Sequence, residues 1–341
     1  MKKDLKIIGI LLLTLTVGFF PSQVRGQTVA NFFKGKTIKL IVGEKPGGGT
    51  DLTARTVALH LSRHLGASVI VLNKTGAAHA EGMNFTWNAK PDGLTIGCED
   101  LASLITNDLQ DAPGIQYQVE KLNFFGSIAD EEVMFWVNAN GPIKSIQDLK
   151  AAKGVKLAAT SVSGMRAINQ LMIAYILDLD AKVITGFKGS QECDLAIMQG
   201  EATGTTSSPL SYRRGVKNGT HRGLFTLDVR RNQATPDVPA ITELVKPPKE
   251  KMDLLNLMVT LRPSKAFYGP PGIPKDKVDF IQKAYNDVTK QAKFKAEIEK
   301  LHYPGVPIVE GKILAERAQT MKKNKKLWQD SFKSLFDKYR G

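Results

Sequence analysis

The part of this sequence best suited to chemistry is a run of three glycines at residues 47–49. It follows a strand-like apolar run at 37–42 and leads through Thr50 and Asp51 into a helical pattern. Glycine lets an anion approach the backbone closely, and the first turn of a helix presents unpaired N–H groups with partial positive charge. The loop therefore predicts a site for a carboxylate or phosphate, with Thr50 or Asp51 able to cap the helix.

The loop lacks the signatures of a nucleotide site. The Gly-Lys-Ser/Thr ending of a Walker loop and the G-x-G-x-x-G spacing of a dinucleotide site are both missing. A glycine turn that serves only chain geometry is the alternative on this stretch alone.

Other candidate chemistry is weaker. The serine-containing turn at 160–164 lacks the glycine of a G-x-S-x-G nucleophile elbow, and no histidine is visibly placed to serve it, so a hydrolase is disfavoured. His60 and His64 have a helical metal spacing but no third ligand, which favours surface histidines and no metal. Cys98 and Cys193 are predicted to lie in different lobes, so two free, buried thiols are favoured over a disulfide.

The first segment of the chain is not expected to be part of the mature protein. Basic residues precede an apolar run at 7–20, and Val24-Arg25-Gly26 suits cleavage near Gln27. A membrane anchor is the alternative, but this run is short of the roughly 20 residues that cross a bilayer. Residues 1–26 are therefore predicted to be a secretory signal peptide.

The composition indicates a globular protein with an anionic ligand. Hydrophobic residues make up 42% and charged residues 23% of the chain, which predicts a real core in about two domains. The formal charge of +14 suits an anionic partner, but the basic residues are scattered. The densest basic run, at 322–326, is expected to be a solvated helix face, and aromatics are not interleaved with it. Nucleic acid is not expected.

The hydrophobic pattern predicts two α/β lobes, because apolar strands alternate with helices on both sides of residue 130. We assign lobe one to 36–130 and 262–341, and lobe two to 131–261, with crossings near Glu132 and Val259. Residues 252–261 are predicted to be extended. Two helices are predicted after Pro271, and these C-terminal helices are expected to pack on lobe one.

Several segments together resemble the extracytoplasmic receptors of tripartite tricarboxylate transporters, the Bug receptors. The similarity lies in KTIKLIVGEKPGGGTDLTARTVALHLSRHLGASVIVLNKTGAAHAEG, KPDGLTIG, VITGFKGSQECDLAIMQGEATGTTSS, TPDVPAITELV and YGPPGIPKDKVDFIQKAYNDVTK, which occur in the expected order. The resemblance implies a type II periplasmic-binding-protein fold, a Venus flytrap with two hinge crossings. In this family two glycine loops cradle one carboxylate, largely through backbone groups and bridging waters.

Carried over by position, the resemblance implies ligand contacts from both lobes. Lobe one supplies Glu44, Pro46, Gly47, Gly48, Gly49, Thr50, Asp51, Gly76, Ala77, Ala78 and His79, and lobe two supplies Ser161, Ser163, Gly164, Arg166, Lys188, Thr205, Thr206 and Ser207.

Four positions depart from the family pattern. Glu44 stands where an aromatic residue is usual, His79 and Arg166 replace glycines, and Phe187 replaces a tyrosine. Each is either a tolerated surface change or a change in ligand preference. Glu44 and Arg166 are expected at the mouth of the cleft, one on each lobe. There they either contact the ligand and select it, or pair with each other across the closed cleft as a latch.

The resemblance implies a monomeric periplasmic receptor, without cofactor or catalytic residues, that hands a small organic anion to membrane permease subunits. A binding protein for another transporter or for a sensor kinase is the alternative, because its lobes and cleft would look alike.

Overall fold

The computed structural model describes residues 28–76, 79–160, 164–302 and 304–341. The predicted signal peptide lies outside these ranges. Within them, no helix has the length and apolar character needed to cross a membrane.

The strands and helices alternate through most of the chain. The strands are β1 (Thr37–Val42), β2 (Ser68–Asn73), β3 (Thr95–Asp100), β4 (Asn123–Ile128), β5 (Met134–Asn138), β6 (Val155–Ala158), β7 (Ala181–Ile184), β8 (Gly204–Ser207), β9 (His221–Thr226), β10 (Lys265–Gly269) and β11 (Ile308–Glu310). The helices are α1 (Val29–Phe33), α2 (Gly49–Leu65), α3 (Ala80–Trp87), α4 (Leu101–Leu109), α5 (Ile146–Ala151), α6 (Met165–Leu177), α7 (Ser190–Met198), α8 (Pro209–Lys217), α9 (Ile241–Leu244), α10 (Lys249–Val259), α11 (Lys275–Lys290), α12 (Ala292–Leu301), α13 (Gly311–Lys323) and α14 (Lys325–Tyr339).

The strands form two sheets. The first has the order β11-β4-β10-β3-β1-β2, and the second has the order β7-β6-β8-β5-β9. In the first sheet β1 runs parallel to β2 and β3, whereas β10 is antiparallel to β3 and β4. In the second, β6 is parallel to β7 and β8, and β5 is antiparallel to β8 and β9. We call the part around the first sheet lobe one and the part around the second lobe two.

The chain passes between the lobes twice. It leaves the first sheet after Ile128 and enters the second at Met134, and it returns between the end of α10 at Val259 and the start of β10 at Lys265. In parallel β-α units, ligands bind to the loops at the carboxyl ends of the strands. The strands concerned here are β1, β3, β6 and β8. The domain boundaries at 130/131 and 261/262 stay predictions.

Two predictions about the C-terminal half are wrong. The segment 252–261, predicted to be extended, lies mainly in helix α10, because Leu254, Leu255 and Met258 share one helical face and are buried there. The chain after Pro271 forms α11 to α14 and β11 rather than two helices. A short apolar run such as 252–261 fits both the strand and the helix periodicity, and tertiary packing decides between the two.

The C-terminal helices contact lobe one, as predicted, but the last one also reaches lobe two. On the lobe-one side, Gln329 donates to the carbonyl of Leu109 at 2.6 Å. On the lobe-two side, the Tyr339 hydroxyl donates to the carbonyl of Ala174 at 3.3 Å, and Arg340 forms a β-bridge with Val183. Helix α14 therefore spans the two lobes.

The cysteines and histidines test three further predictions. Cys98 and Cys193 are free and buried, on β3 and α7 respectively, which confirms two free thiols. His60 is not a surface residue: it is buried, with Nε2 2.9 Å from Glu297 Oε2 and its ring edge against Phe294. His64 is half exposed. Within the described ranges, no group of three or more His, Cys, Asp or Glu residues could hold a metal ion.

Candidate functional site

The three-glycine loop connects β1 to α2 and is fastened by carboxylates of the chain itself. Gly48 is the N-cap of α2, and Gly47 has a left-handed φ of 83°. The prediction that Thr50 or Asp51 caps this helix is wrong, because both lie inside its first turn. The Thr50 N–H instead donates to Glu44 Oε2 at 2.7 Å. The side chain that caps the helix therefore comes from the loop before it.

Asp51 fixes the position of the glycine loop through its hydrogen bonds. Its Oδ2 accepts from the Gly47 N–H at 2.8 Å and from Arg55 Nε at 2.9 Å, and its Oδ1 accepts from Asn73 Nδ2 at 2.8 Å. Burial raises the pKa of Asp51, but the bonds from Arg55, Gly47 and Asn73 outweigh burial and hold that pKa below its ordinary value. Asp51 is buried with its hydrogen-bonding capacity used inside lobe one, so it positions the loop.

The second predicted loop meets the first through Glu99, which the sequence analysis did not identify. Glu99 is buried at the end of β3; its Oε2 accepts from the Gly43 N–H at 3.1 Å, and its Oε1 lies 2.9 Å from His79 Nδ1. His79 has a left-handed φ of 77° and is the N-cap of α3. The hydrogen bond with Glu99 raises the pKa of His79 despite partial burial, and the charges of Glu99 and Glu44 add to that rise. The contact between His79 and Glu99 therefore links the two loops.

Lys265 is a second residue that the sequence analysis missed. It lies on β10 directly opposite Asp100 of β3. Burial lowers the pKa of Lys265, but the charges of Asp100, Glu44 and Glu99 outweigh burial and raise it above its ordinary value. In the sequence, Lys265 could be noticed only as a charged residue at the start of an apolar strand. The pairing of β10 with β3 is what places it near the two glycine loops.

The lobe-two residues gather around Arg166, in the first turn of α6. Its Nη1 donates to Thr205 Oγ1 at 3.0 Å and to the carbonyl of Thr206, and its Nη2 donates to Ser190 Oγ at 2.8 Å. Burial lowers the pKa of Arg166, and the nearby Cys193 and Asp194 act in the opposite direction. In the described part of the chain, no carboxylate lies within 4.0 Å of this guanidinium to form an ion pair. Neutral groups therefore hold a half-buried cation in place.

The end of β8 lies beside this cation. Thr205, Thr206 and Ser207 are all buried, and side chains alternate along a strand, so Ser207 shares a face with Thr205, the Arg166 partner. The hydroxyl oxygen of Ser207 is buried without a hydrogen-bond partner among the described residues. A buried polar atom of this kind normally has a partner, so Ser207 has unused capacity for a ligand.

The remaining predicted residues fall into three groups. Gly164 is the N-cap of α6, and Gly76 lies in the second loop with a φ of 155°. Pro46, Gly49 and Lys188 are exposed, and Lys188 contributes a backbone bond to Glu192. Ala77, Ala78, Ser161 and Ser163 lie outside the described residues.

The structure thus brings the predicted residues together as two half-sites rather than one. Across the described ranges, no hydrogen bond or ion pair joins the Glu44 loop to the Arg166 group. The Glu44–Arg166 latch is therefore not formed in this conformation. A groove of about 710 Å³ on lobe one, lined by α3 and the starts of β1 and β3, contains none of the predicted residues.

Comparison with known proteins places this chain among solute receptors. The profile of the tripartite tricarboxylate transporter family receptors matches residues 53–313. Protein BugT of Bordetella pertussis is 26% identical over 253 residues, which cover 72% of this chain and 75% of that protein.

Solved structures show the same fold. A TctC solute-binding protein from Polaromonas has a TM-score of 0.71 at 19% identity, covering 89% of this chain and 98% of that chain. MatC from Rhodopseudomonas palustris, solved with bound malate, has a TM-score of 0.63 at 17% identity, covering 87% of this chain and 99% of that chain. The predicted two-lobed periplasmic-binding-protein fold is confirmed.

Proposed function

The chain belongs to the tripartite tricarboxylate transporter receptor family, and we propose that it binds a small organic anion between its lobes and delivers it to the permease subunits of such a transporter. Members of this family are solute-binding receptors, so the prediction of a receptor rather than an enzyme is confirmed. The proposal concerns the ligand class and the partner.

The observation that carries the ligand class is the occurrence of Arg166 and Ser207 at the same end of β8 in lobe two, where Arg166 bonds Thr205 and Thr206. Among the described residues, the half-buried Arg166 guanidinium has no ion-pair partner within 4.0 Å and the buried Ser207 hydroxyl has no hydrogen-bond partner, and a ligand that pairs with both groups lowers the cost of burying them. A carboxylate does so, because it accepts charge-assisted hydrogen bonds from both groups. The relative solved with malate makes a carboxylate a reasonable class to test here.

Lobe one supplies the opposing half of the site. Its glycine loop, the His79–Glu99 pair and Lys265 lie at the ends of β1 and β3 and on the neighbouring strand β10, at the sheet edge where such folds bind ligands. Closure of the lobes would bring this edge against the Arg166 group and exclude water from the ligand. The two crossings between the lobes permit that movement.

The test is ligand identification on gently purified protein. Native mass spectrometry should show a retained small acid, and adding that acid should raise the melting temperature, because a ligand at a hundredfold excess over Kd adds about 2.7 kcal/mol of stability. A panel of mono- and dicarboxylates that never shifts the melting temperature would contradict the ligand class.

The partner needs a separate experiment. Deleting the genes for the permease subunits should abolish uptake of the identified acid without changing its binding. If uptake persists, the protein serves another transporter or a sensor kinase, which the same lobes would suit. Export to the periplasm after cleavage near Gln27, and a monomeric state, are part of this proposal.

A further inference from the structure

The glycine loop of lobe one is already occupied by carboxylates of the chain itself. The Gly43 N–H donates to Glu99 Oε2 at 3.1 Å, the Gly47 N–H to Asp51 Oδ2 at 2.8 Å, and the Thr50 N–H to Glu44 Oε2 at 2.7 Å. Each of these amides would otherwise be available to an anion. A ligand that approaches this loop therefore meets carboxylates at three of its amides.

The three carboxylates differ in how far their charges are compensated. Asp51 pairs with Arg55 at 2.9 Å, and Glu99 pairs with His79 at 2.9 Å. Glu44 is half-buried, and within the described ranges no lysine, arginine or histidine nitrogen lies within 4.0 Å of its carboxylate. Its single described side-chain bond comes from the neutral Thr50 amide through Oε2. Glu44 thus presents a negative charge without a close ion-pair partner at the start of α2.

Across the site, lobe two presents the opposite charge. Arg166 is held by Thr205, Thr206 and Ser190, all through neutral atoms, at the end of the strand where the Ser207 hydroxyl has no partner among the described residues. The two half-sites therefore present charges of opposite sign, and among the described residues neither Glu44 nor Arg166 has an ion-pair partner within 4.0 Å. Lys265 and His79 are near Glu44, and Asp194 is near Arg166, but none of them forms a direct ion pair with these two side chains. A ligand with one cationic and one anionic group can form a direct ion pair with each of them.

We propose that Glu44 is a specificity-determining residue that selects an amino acid, or another aminocarboxylate, over the corresponding simple acid. This inference rests on the proposed function and assigns the ligand class of the same site. The ammonium group lies towards Glu44 and the carboxylate towards Arg166 and Ser207. A ligand without an amino group leaves the Glu44 charge facing either solvent-depleted space or another carboxylate, and both are unfavourable.

Matched pairs of compounds that differ only in an amino group give the sharpest test. Aspartate with succinate, glutamate with glutarate, and alanine with propionate are titrated by calorimetry into wild type, Glu44→Gln and Glu316→Gln. Gln at 44 keeps a carbonyl oxygen that accepts from the Thr50 N–H, so the loop is retained. Glu316→Gln is the control, because it removes the same charge from an exposed position on α13.

In the wild type, the amino compound of at least one pair should bind about tenfold or more tightly than its partner, the scale set by one charged contact. Glu44→Gln should reduce that ratio at least about fivefold, and Glu316→Gln should leave it unchanged. Unchanged melting temperatures of the apo-proteins would show that both variants are folded.

Three results would overturn the inference. Wild type that binds succinate, glutarate or propionate as tightly as the amino partner removes the selectivity while leaving the proposed carboxylate receptor intact. A ratio that survives in Glu44→Gln assigns selectivity to another residue. If Glu44→Gln binds both compounds of a pair more tightly by the same factor, Glu44 only competes with the ligand for the Thr50 N–H. If no member of any pair binds, and a broader carboxylate panel fails as well, the proposed function fails too.

Discussion

Arg262 and Asp228 form a buried, two-point ion pair, with Nε to Oδ2 and Nη2 to Oδ1 both at 2.8 Å. Arg262 lies on the return crossing between the lobes, and Asp228 follows the last strand of the second sheet. On the first crossing, Asp130 accepts from Arg317 of α13, and Glu132 accepts from Arg230 at 2.8 Å. Ion pairs thus tie the two crossing segments to both lobes.

Removing Arg262 should therefore destabilise the protein strongly. Arg262→Ala leaves the buried Asp228 side chain without its ion-pair partner, which typically costs about 3 to 5 kcal/mol in the free energy of unfolding. Arg231→Ala is the control, because the Arg231–Glu243 pair is roughly half exposed and an exposed pair contributes only about 0 to 1 kcal/mol. Urea unfolding measures both, and equal losses in the two variants would contradict a structural role for the hinge pair.

Two neighbouring glycines at the start of α2 should respond oppositely to alanine. A β-carbon at Gly48 would lie 2.3 Å from Glu44 Cδ and displace that carboxylate from the Thr50 N–H, whereas a β-carbon at Gly49 meets open space. Loss of the capping bond costs about 0.5 to 2 kcal/mol. Alanine at a compatible position stabilises by about 0.4 to 1 kcal/mol through the unfolded chain. Thermal unfolding of Gly48→Ala and Gly49→Ala should show this contrast; the same shift in both would argue against the Glu44 contact.

The His79–Glu99 pair should make stability depend on pH in a known direction. The pKa of His79 is raised in the folded state, so its contribution is complete below the ordinary value of 6.5 and is lost as pH rises through the raised pKa. His79→Asn is a suitable variant, because asparagine tolerates the left-handed backbone at this position. The stability difference between wild type and His79→Asn should shrink from about pH 5 to about pH 9. A difference that stays constant or grows would show that His79 binds no extra proton in the fold.

Arg166 should account for much of the ligand affinity. Losing a desolvated charge contact typically costs about 2 to 5 kcal/mol, so Arg166→Ala should weaken binding of aspartate or succinate, whichever the wild type binds, by this amount. Arg213→Ala, which removes an exposed arginine from the same lobe, should change affinity by no more than about 0.5 kcal/mol. Unfolding of the apo-proteins separates binding from folding. Arg166→Ala within the range of the control would remove Arg166 from the site.

The two thiols should be protected in the native protein. Burial raises the pKa of both Cys98 and Cys193, so neither forms the reactive thiolate readily near neutral pH. A thiol reagent should label native protein slowly and label both cysteines rapidly in denaturant. Labelling that stays incomplete in denaturant without reductant would point to a disulfide.

The local units of this protein can be predicted from its sequence alone. The apolar run of β1, the three glycines and the helix after them predicted a strand, an anion-accessible loop and α2, because period and glycine content are local properties. The ordered family segments likewise predicted the two-lobed fold and placed Arg166, Thr205, Thr206 and Ser207 in one lobe-two group. The run at 252–261 marks the limit of local reasoning, since its leucines fit a strand or a helix until packing selects one face.

Which charged side chains lie near one another, by contrast, depends on the three-dimensional packing of the chain. Lys265 lies opposite Asp100 through antiparallel pairing of two strands far apart in the chain, and Glu99 contacts both glycine loops because β3 ends beside β1. Glu44 could be recognised as unusual from the sequence, but its occupation of the Thr50 amide depends on how the loop folds back. The physical reason is that periodicity encodes the face on which a side chain lies, whereas electrostatic compensation depends on distances set by long-range packing.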